Sequence, residues 1–97
     1  MNENILDAIA SRRLVGLVYE SRRRVVEPHD YGVRGGVERL LAYQVRGESR
    51  SGRVPGWRDL EVSKIRDLVV LDDTFPGSRG ASHRHHKPWD VVFARVE

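Results

Sequence analysis

Arg24, Arg58 and Lys64 are the residues of this chain best placed by type to hold an anion. Each stands at the start or end of a segment with strand character, where a cationic head reaches solvent while extended backbone fixes its direction. Arginine offers a planar fork that pairs bidentately with phosphate or carboxylate, and lysine offers a point charge. There are 17 basic residues, and with only two lysines, Lys64 and Lys87, the other 15 are arginine. Either an arginine-built anion site or the codon use of a GC-rich genome produces that skew. Phosphate contacts of this kind give affinity without sequence choice and add salt dependence. The competing reading of Arg58 is a surface ion pair with Asp59, Glu61 or Asp67, which contributes little. That of Arg24 is solvation within the run Arg22, Arg23 and Arg24.

His29, Tyr31 and Tyr43 could stack on a base or hydrogen-bond to it, with Arg39 as a further cation. Tyr43 shares a face with Leu41 and Val45, which points to core packing, while His29 follows Pro28 near a strand end and is expected to be exposed. Arg46, Arg50 and Arg53 would form a basic rim on a long loop. His83, His85 and His86 invite a metal reading with Asp90, but their spacing matches no metal motif and glycine and serine precede them. No metal site and no cofactor are assigned. A glycine-rich phosphate loop, a nucleophile elbow and a zinc-protease motif are all missing, and adjacent Asp72 and Asp73 would point to opposite faces of a strand. No catalytic residue is expected, and the chain reads as a binding protein, not an enzyme.

These side chains need a frame. Asn4 to Arg12 reads as a short helix, with Ile5, Leu6 and Ile9 at helical spacing and Asn4 and Asp7 as its cap. Leu14 to Tyr19 reads as a buried strand and Glu20 to Arg23 as a turn. Arg24 to Tyr31 reads as an extended segment whose Pro28 belongs at an edge or a strand end, and Gly32 to Val37 as another turn. Glu38 to Arg46 alternates, with Arg39, Leu41, Tyr43 and Val45 on one side and Leu40, Ala42 and Gln44 on the other. A loop over Gly47 to Gly56, a strand over Trp57 to Val62, a turn over Ser63 to Arg66 and a strand over Asp67 to Leu71 follow. Asp72 to Lys87 is polar, basic and histidine-rich and reads as an exposed arm. Trp89 to Val96 returns to strand character and could pair with this chain's own sheet edge or a partner's.

Ninety-seven residues suit one domain. Without cysteine there is neither a disulfide framework nor a thiolate metal site. Met1 to Leu6 lacks the features of a signal peptide, and no apolar run reaches the roughly 20 residues a membrane helix needs. A soluble cytoplasmic protein with no membrane partner is expected. The net charge of +3 is by itself weak support for nucleic-acid binding.

In order, Ile5 to Tyr19, Arg24 to His29 (RVVEPH), Glu38 to Tyr43 (ERLLAY), Trp57 to Ile65 (WRDLEVSKI) and Leu68 to Phe75 resemble the WYL domain family. At the family's Trp-Tyr-Leu signature this chain has Glu38, Arg39 and Leu40, so the leucine alone is kept, and Lys64 stands where the family's second arginine does. The resemblance implies a mainly β fold: a small Sm-like or SH3-like five-stranded barrel over residues 1–75, preceded by a short helix. Residues 76–97 would add a basic arm and an extra C-terminal strand packed on the barrel or on a partner.

The family resemblance further implies a ligand-sensing, regulatory domain acting in transcription, here stand-alone and without a winged helix, working through a DNA-binding or effector protein or as a homodimer. The anionic ligand would be single-stranded nucleic acid or a nucleotide, held by Arg24, His29, Tyr31, Arg58 and Lys64, with Arg39 and Tyr43 as additional contacts. One alternative is a protein-interaction or homodimerisation module that adds its last strand to a neighbour. Another is a metal-dependent nuclease built on His83 to Asp90.

Overall fold

The helix is capped by Asn2, ahead of the expected Asn4. In the computed structural model, which describes residues 1–50, 52–80 and 88–97, α1 spans Glu3–Ser11, and the Asn2 Oδ1 accepts from the Ile5 N–H at 3.0 Å. The Asn2 N–H in turn donates to the Tyr31 hydroxyl at 2.7 Å, which fixes the helix start on the sheet. Ile5, Ala8 and Ile9 form its buried stripe, and Arg12 ends it in the left-handed conformation.

The rest is mainly β. Strands β1 (Arg13–Tyr19), β2 (Arg22–Arg34), β3 (Val37–Gly47), β4 (Gly56–Glu61), β5 (Arg66–Thr74) and β6 (Val91–Arg95) form one antiparallel sheet, with a single 3-10 turn at Val62–Lys64 between β4 and β5. The strand order is β4-β3-β2-β1-β5, with β6 also on β2. The sheet is not closed, since β4 and β5 form its two ends. The Tyr19 hydroxyl, at the end of β1, reaches across to one of these ends and accepts from the Glu61 N–H on β4 at 3.1 Å.

β2 is longer than the sequence pattern suggests, because it has two neighbours in succession along one edge. Its start pairs with β1 as far as Val26, and its end pairs with β6 from Asp30 to Val33. Pro28 falls at the changeover, where its missing N–H interrupts neither ladder. That is why a proline is tolerated inside a 13-residue strand and not only at its end. On the β3 side Pro28 faces Ala42 and Asp30 faces Leu41, so His29 is an extra, bulged residue. The expected turn over Gly32 to Val37 shrinks to Gly35 and Gly36, both with positive φ, because Gly32 to Arg34 stay in the strand.

Two expectations about burial are overturned. On β3 the fully buried face is Leu40, Ala42 and Gln44, not the face of Tyr43. The arm also starts later than Asp72: Asp72 to Thr74 belong to β5, and Phe75 is buried with its N–H donating to the Arg12 carbonyl at 2.9 Å. The core joins the helix to Val15, Leu17 and Tyr19 of β1, Leu40 of β3, Leu60 of β4 and Val96 after β6. No helix of the described residues is long and apolar enough to cross a membrane.

Candidate functional site

Gln44 faces inward because it shares the phase of Leu40 and Ala42, and a buried amide needs partners. Its Nε2 donates to the Arg46 and Glu48 carbonyls at 3.1 and 2.9 Å, which turns Oε1 the other way. Two arginines meet that oxygen: Arg58 Nε at 3.0 Å and Arg24 Nη1 at 3.5 Å.

Arg24 is buried, only 3% exposed, so its guanidinium, expected to reach solvent from the start of the strand, is instead part of the interior. It lies on β2 opposite Gly47 of β3, where a Cβ would come within 2.3 Å of the Arg23 carbonyl oxygen, so only glycine lets the strands approach there. Its Nη2 donates to the Tyr19 carbonyl at 3.3 Å and to Glu20 Oε1 at 3.1 Å. Arg58 extends from β4 under the β3–β4 loop, with Nη1 on the Trp57 carbonyl at 2.8 Å and Nη2 on the Arg53 carbonyl at 2.7 Å. Gly52 and Gly56 leave the room it occupies.

Charge in this corner is unbalanced. Among the described residues no carboxylate pairs with Arg58; its partners are an amide and two carbonyls. Burial, and then the neighbouring charge of Arg24, push the Arg58 guanidinium below its ordinary pKa. Among the described residues the acid joined to Arg24 is Glu20, whose other oxygen lies 3.4 Å from Arg50 Nη1. Asp59 is engaged by Arg34 and Arg39. Arg24, Arg50 and Arg58, the carboxylates of Glu20 and Asp59, and the rings of Tyr19 and Trp57 line a hollow of about 370 Å³ at this point, open to solvent. Buried Arg24 and half-buried Arg58 face this hollow, where guanidinium N–H groups can donate to the oxygens of an anion.

The other expected site residues lie elsewhere. Lys64 sits in the 3-10 turn, exposed, 3.6 Å from Glu61, and does not line this hollow. Arg39 pairs with Asp59 and Glu61 at 3.5 and 3.9 Å. Tyr31 is fully buried and donates to Glu38; burial and that bond push its hydroxyl up to about 12. Tyr43 is half-buried, in edge contact with Trp57, and carries Arg79 3.8 Å above its ring. Arg79 also forks onto buried Glu27, at 2.7 and 3.0 Å. His83, His85 and His86 fall outside the described residues, and among those described no three side chains are grouped to hold a metal.

His29 corrects the expectation of exposure: it is fully buried, against the edge of Trp57 and stacked on Phe75, with Nδ1 2.9 Å from the Glu27 carbonyl oxygen. Burial lowers its pKa from 6.5, outweighing the Glu27 carbonyl and the charges of Glu27 and Asp30. On acidification the unfolded chain therefore takes up the proton first. The stability due to neutral His29 is complete above 6.5 and is lost as pH falls through that value and below the folded pKa. We expect the melting temperature of the protein to fall more steeply as the pH is lowered from 6.5 than that of His29→Gln. Parallel curves for the two proteins below that pH would exclude the effect.

Glu20, Gln44 and Arg50 complete the corner; Arg50 is expected from sequence only as part of a loop rim, and residue type and spacing do not single out Glu20 or Gln44. A signal for Gln44 exists in its phase along β3, whereas Glu20 and Arg50 are set by turn and loop geometry that carries no periodicity. Set beside known proteins, the chain matches no family model, no curated protein and no solved structure.

Proposed function

We propose that this chain is a binding domain, not an enzyme, and that it holds a phosphate-bearing ligand, a nucleotide or single-stranded nucleic acid, at the Arg24–Arg58 corner. One observation carries the reading: among the described residues, two guanidiniums share the side-chain oxygen of Gln44 while one carboxylate, Glu20, is joined to Arg24 and none to Arg58. Arg24 is buried and Arg58 half-buried, and positive charge withdrawn from water is costly unless an anion completes it. Aromatic Tyr19 and Trp57 beside the same hollow suit a base attached to the phosphate.

The reading agrees with a divergent WYL-like, ligand-sensing role in regulation. An SH3-like barrel is part of that proposal. In its favour are the four-strand meander, the 3-10 turn before β5, the return of β5 to β1, and the Tyr19 hydroxyl joining the end of β1 to Glu61 of β4.

Titration of a fluorescent oligothymidine over increasing potassium chloride tests the function. Arg24, Arg50 and Arg58 together support about two to three phosphate contacts, so the log–log slope should be about −2 for a single strand. Affinity that is indifferent to salt would sink the proposal.

A further inference from the structure

Glu20 occupies the place an incoming anion would take. It lies in the two-residue β1–β2 turn, where both Glu20 and Ser21 are left-handed, at φ 53° and 61°. This turn type favours glycine and asparagine, and side chains with a Cβ hold it at a cost. From there the carboxylate spans two arginines, Oε1 to Arg24 at 3.1 Å and Oε2 to Arg50 at 3.4 Å, with its side chain 38% exposed at the edge of the hollow. Arg24 is thus already paired with a monoanion that belongs to the chain.

Any ligand that reaches Arg24 and Arg50 exchanges its own charge for that of Glu20. An internal phosphodiester carries one negative charge, so the exchange adds no charge and breaks two ion pairs. A terminal phosphate carries about −1.5 to −2 near neutral pH and has three acceptor oxygens. It can replace the carboxylate, still bind Arg58, and leave a surplus of attraction. Resting on the anion site proposed above, we infer that the hollow selects a terminal phosphate, of a mononucleotide or of a phosphorylated strand end, over an internal phosphodiester, with Glu20 as the resident carboxylate that enforces the choice.

The test compares three probes, oligothymidine with a 5′-phosphate, the same strand with a 5′-hydroxyl, and thymidine 5′-monophosphate, on wild type, Glu20→Gln and Arg58→Ala. Wild type should bind the 5′-phosphorylated strand on the order of tenfold tighter than the hydroxyl strand, about the strength of one charge-assisted hydrogen bond. In Glu20→Gln the hydroxyl strand should gain affinity and the gap should narrow. The monophosphate binding as tightly as the phosphorylated strand would mark a free nucleotide as the source, and weaker binding a strand end; both support the shared chemistry. Equal binding of the two strands by wild type, with both weakened in Arg58→Ala, would overturn the selectivity and leave the anion site intact. A gap unchanged in Glu20→Gln would overturn the role of Glu20. Failure of every probe to bind wild type would remove the site itself.

Discussion

Arg58→Ala is expected to lower the affinity for oligothymidine by on the order of a hundredfold, since a charge-assisted hydrogen bond to phosphate contributes about 2–3 kcal/mol. It should also make the salt slope shallower by about 0.7, because one phosphate on a single strand is no longer neutralised. The effect should exceed that of Lys64→Ala, whose ammonium is exposed and faces Glu61. Arg58→Lys should recover only part of the affinity. A single ammonium cannot reach the Trp57 carbonyl, the Arg53 carbonyl and Gln44 Oε1 together, as the guanidinium does. Fluorescence anisotropy measures the affinities and far-ultraviolet circular dichroism establishes that each variant is folded. A folded Arg58→Ala protein that binds like wild type would end the case for this corner.

Gly32→Val should produce the largest loss of stability. A Cβ at Gly32 would lie 2.0 Å from the Val91 carbonyl oxygen and 3.0 Å from the Val92 Cα, so β6 cannot remain beside β2. The register passes from Tyr31 opposite Ala94 to Gly32 opposite Val92, and the close approach follows from that slip. Expelling β6 also separates Arg95 from fully buried Asp30, to which it donates at 3.0 Å, and exposes Val96. Together these should cost about 3 kcal/mol or more, a fall in melting temperature of roughly 10 °C or greater for a domain of this size. A melting curve unchanged by the substitution would show that β6 does not depend on this close approach.

Most strands are legible because side chains alternate regularly along them, and the sheet reproduces nearly every segment expected between Leu14 and Leu71. Phase is harder to read. In β3 both faces carry apolar residues, and choosing the inner one requires knowing that Gln44 can satisfy its amide at the Arg46 and Glu48 carbonyls. Pro28 suggests a strand end because a proline breaks a ladder, yet a strand that changes neighbours can carry one in its middle. His29 looks exposed for the same reason and is buried because the bulge turns it inward. Of the cations expected to converge, Arg24 and Arg58 share a partner while Lys64 is bound to Glu61 by its place in the 3-10 turn. Long-range pairings, such as Arg79 beyond β5 on Glu27 of β2, leave no trace in local spacing.

β2 divides its length between two tasks. Residues 22–26 run beside β1 and bring Arg24 to the hollow, while residues 30–33 run beside β6 and include Tyr31, which holds the start of the helix. The turn and loop that shape the hollow therefore stand apart from the half of the strand that anchors the helix and β6. The β1–β2 turn and the segment from 48 to 55 could be rewritten, by grafting or by directed selection, to recognise a different anion on an unchanged scaffold.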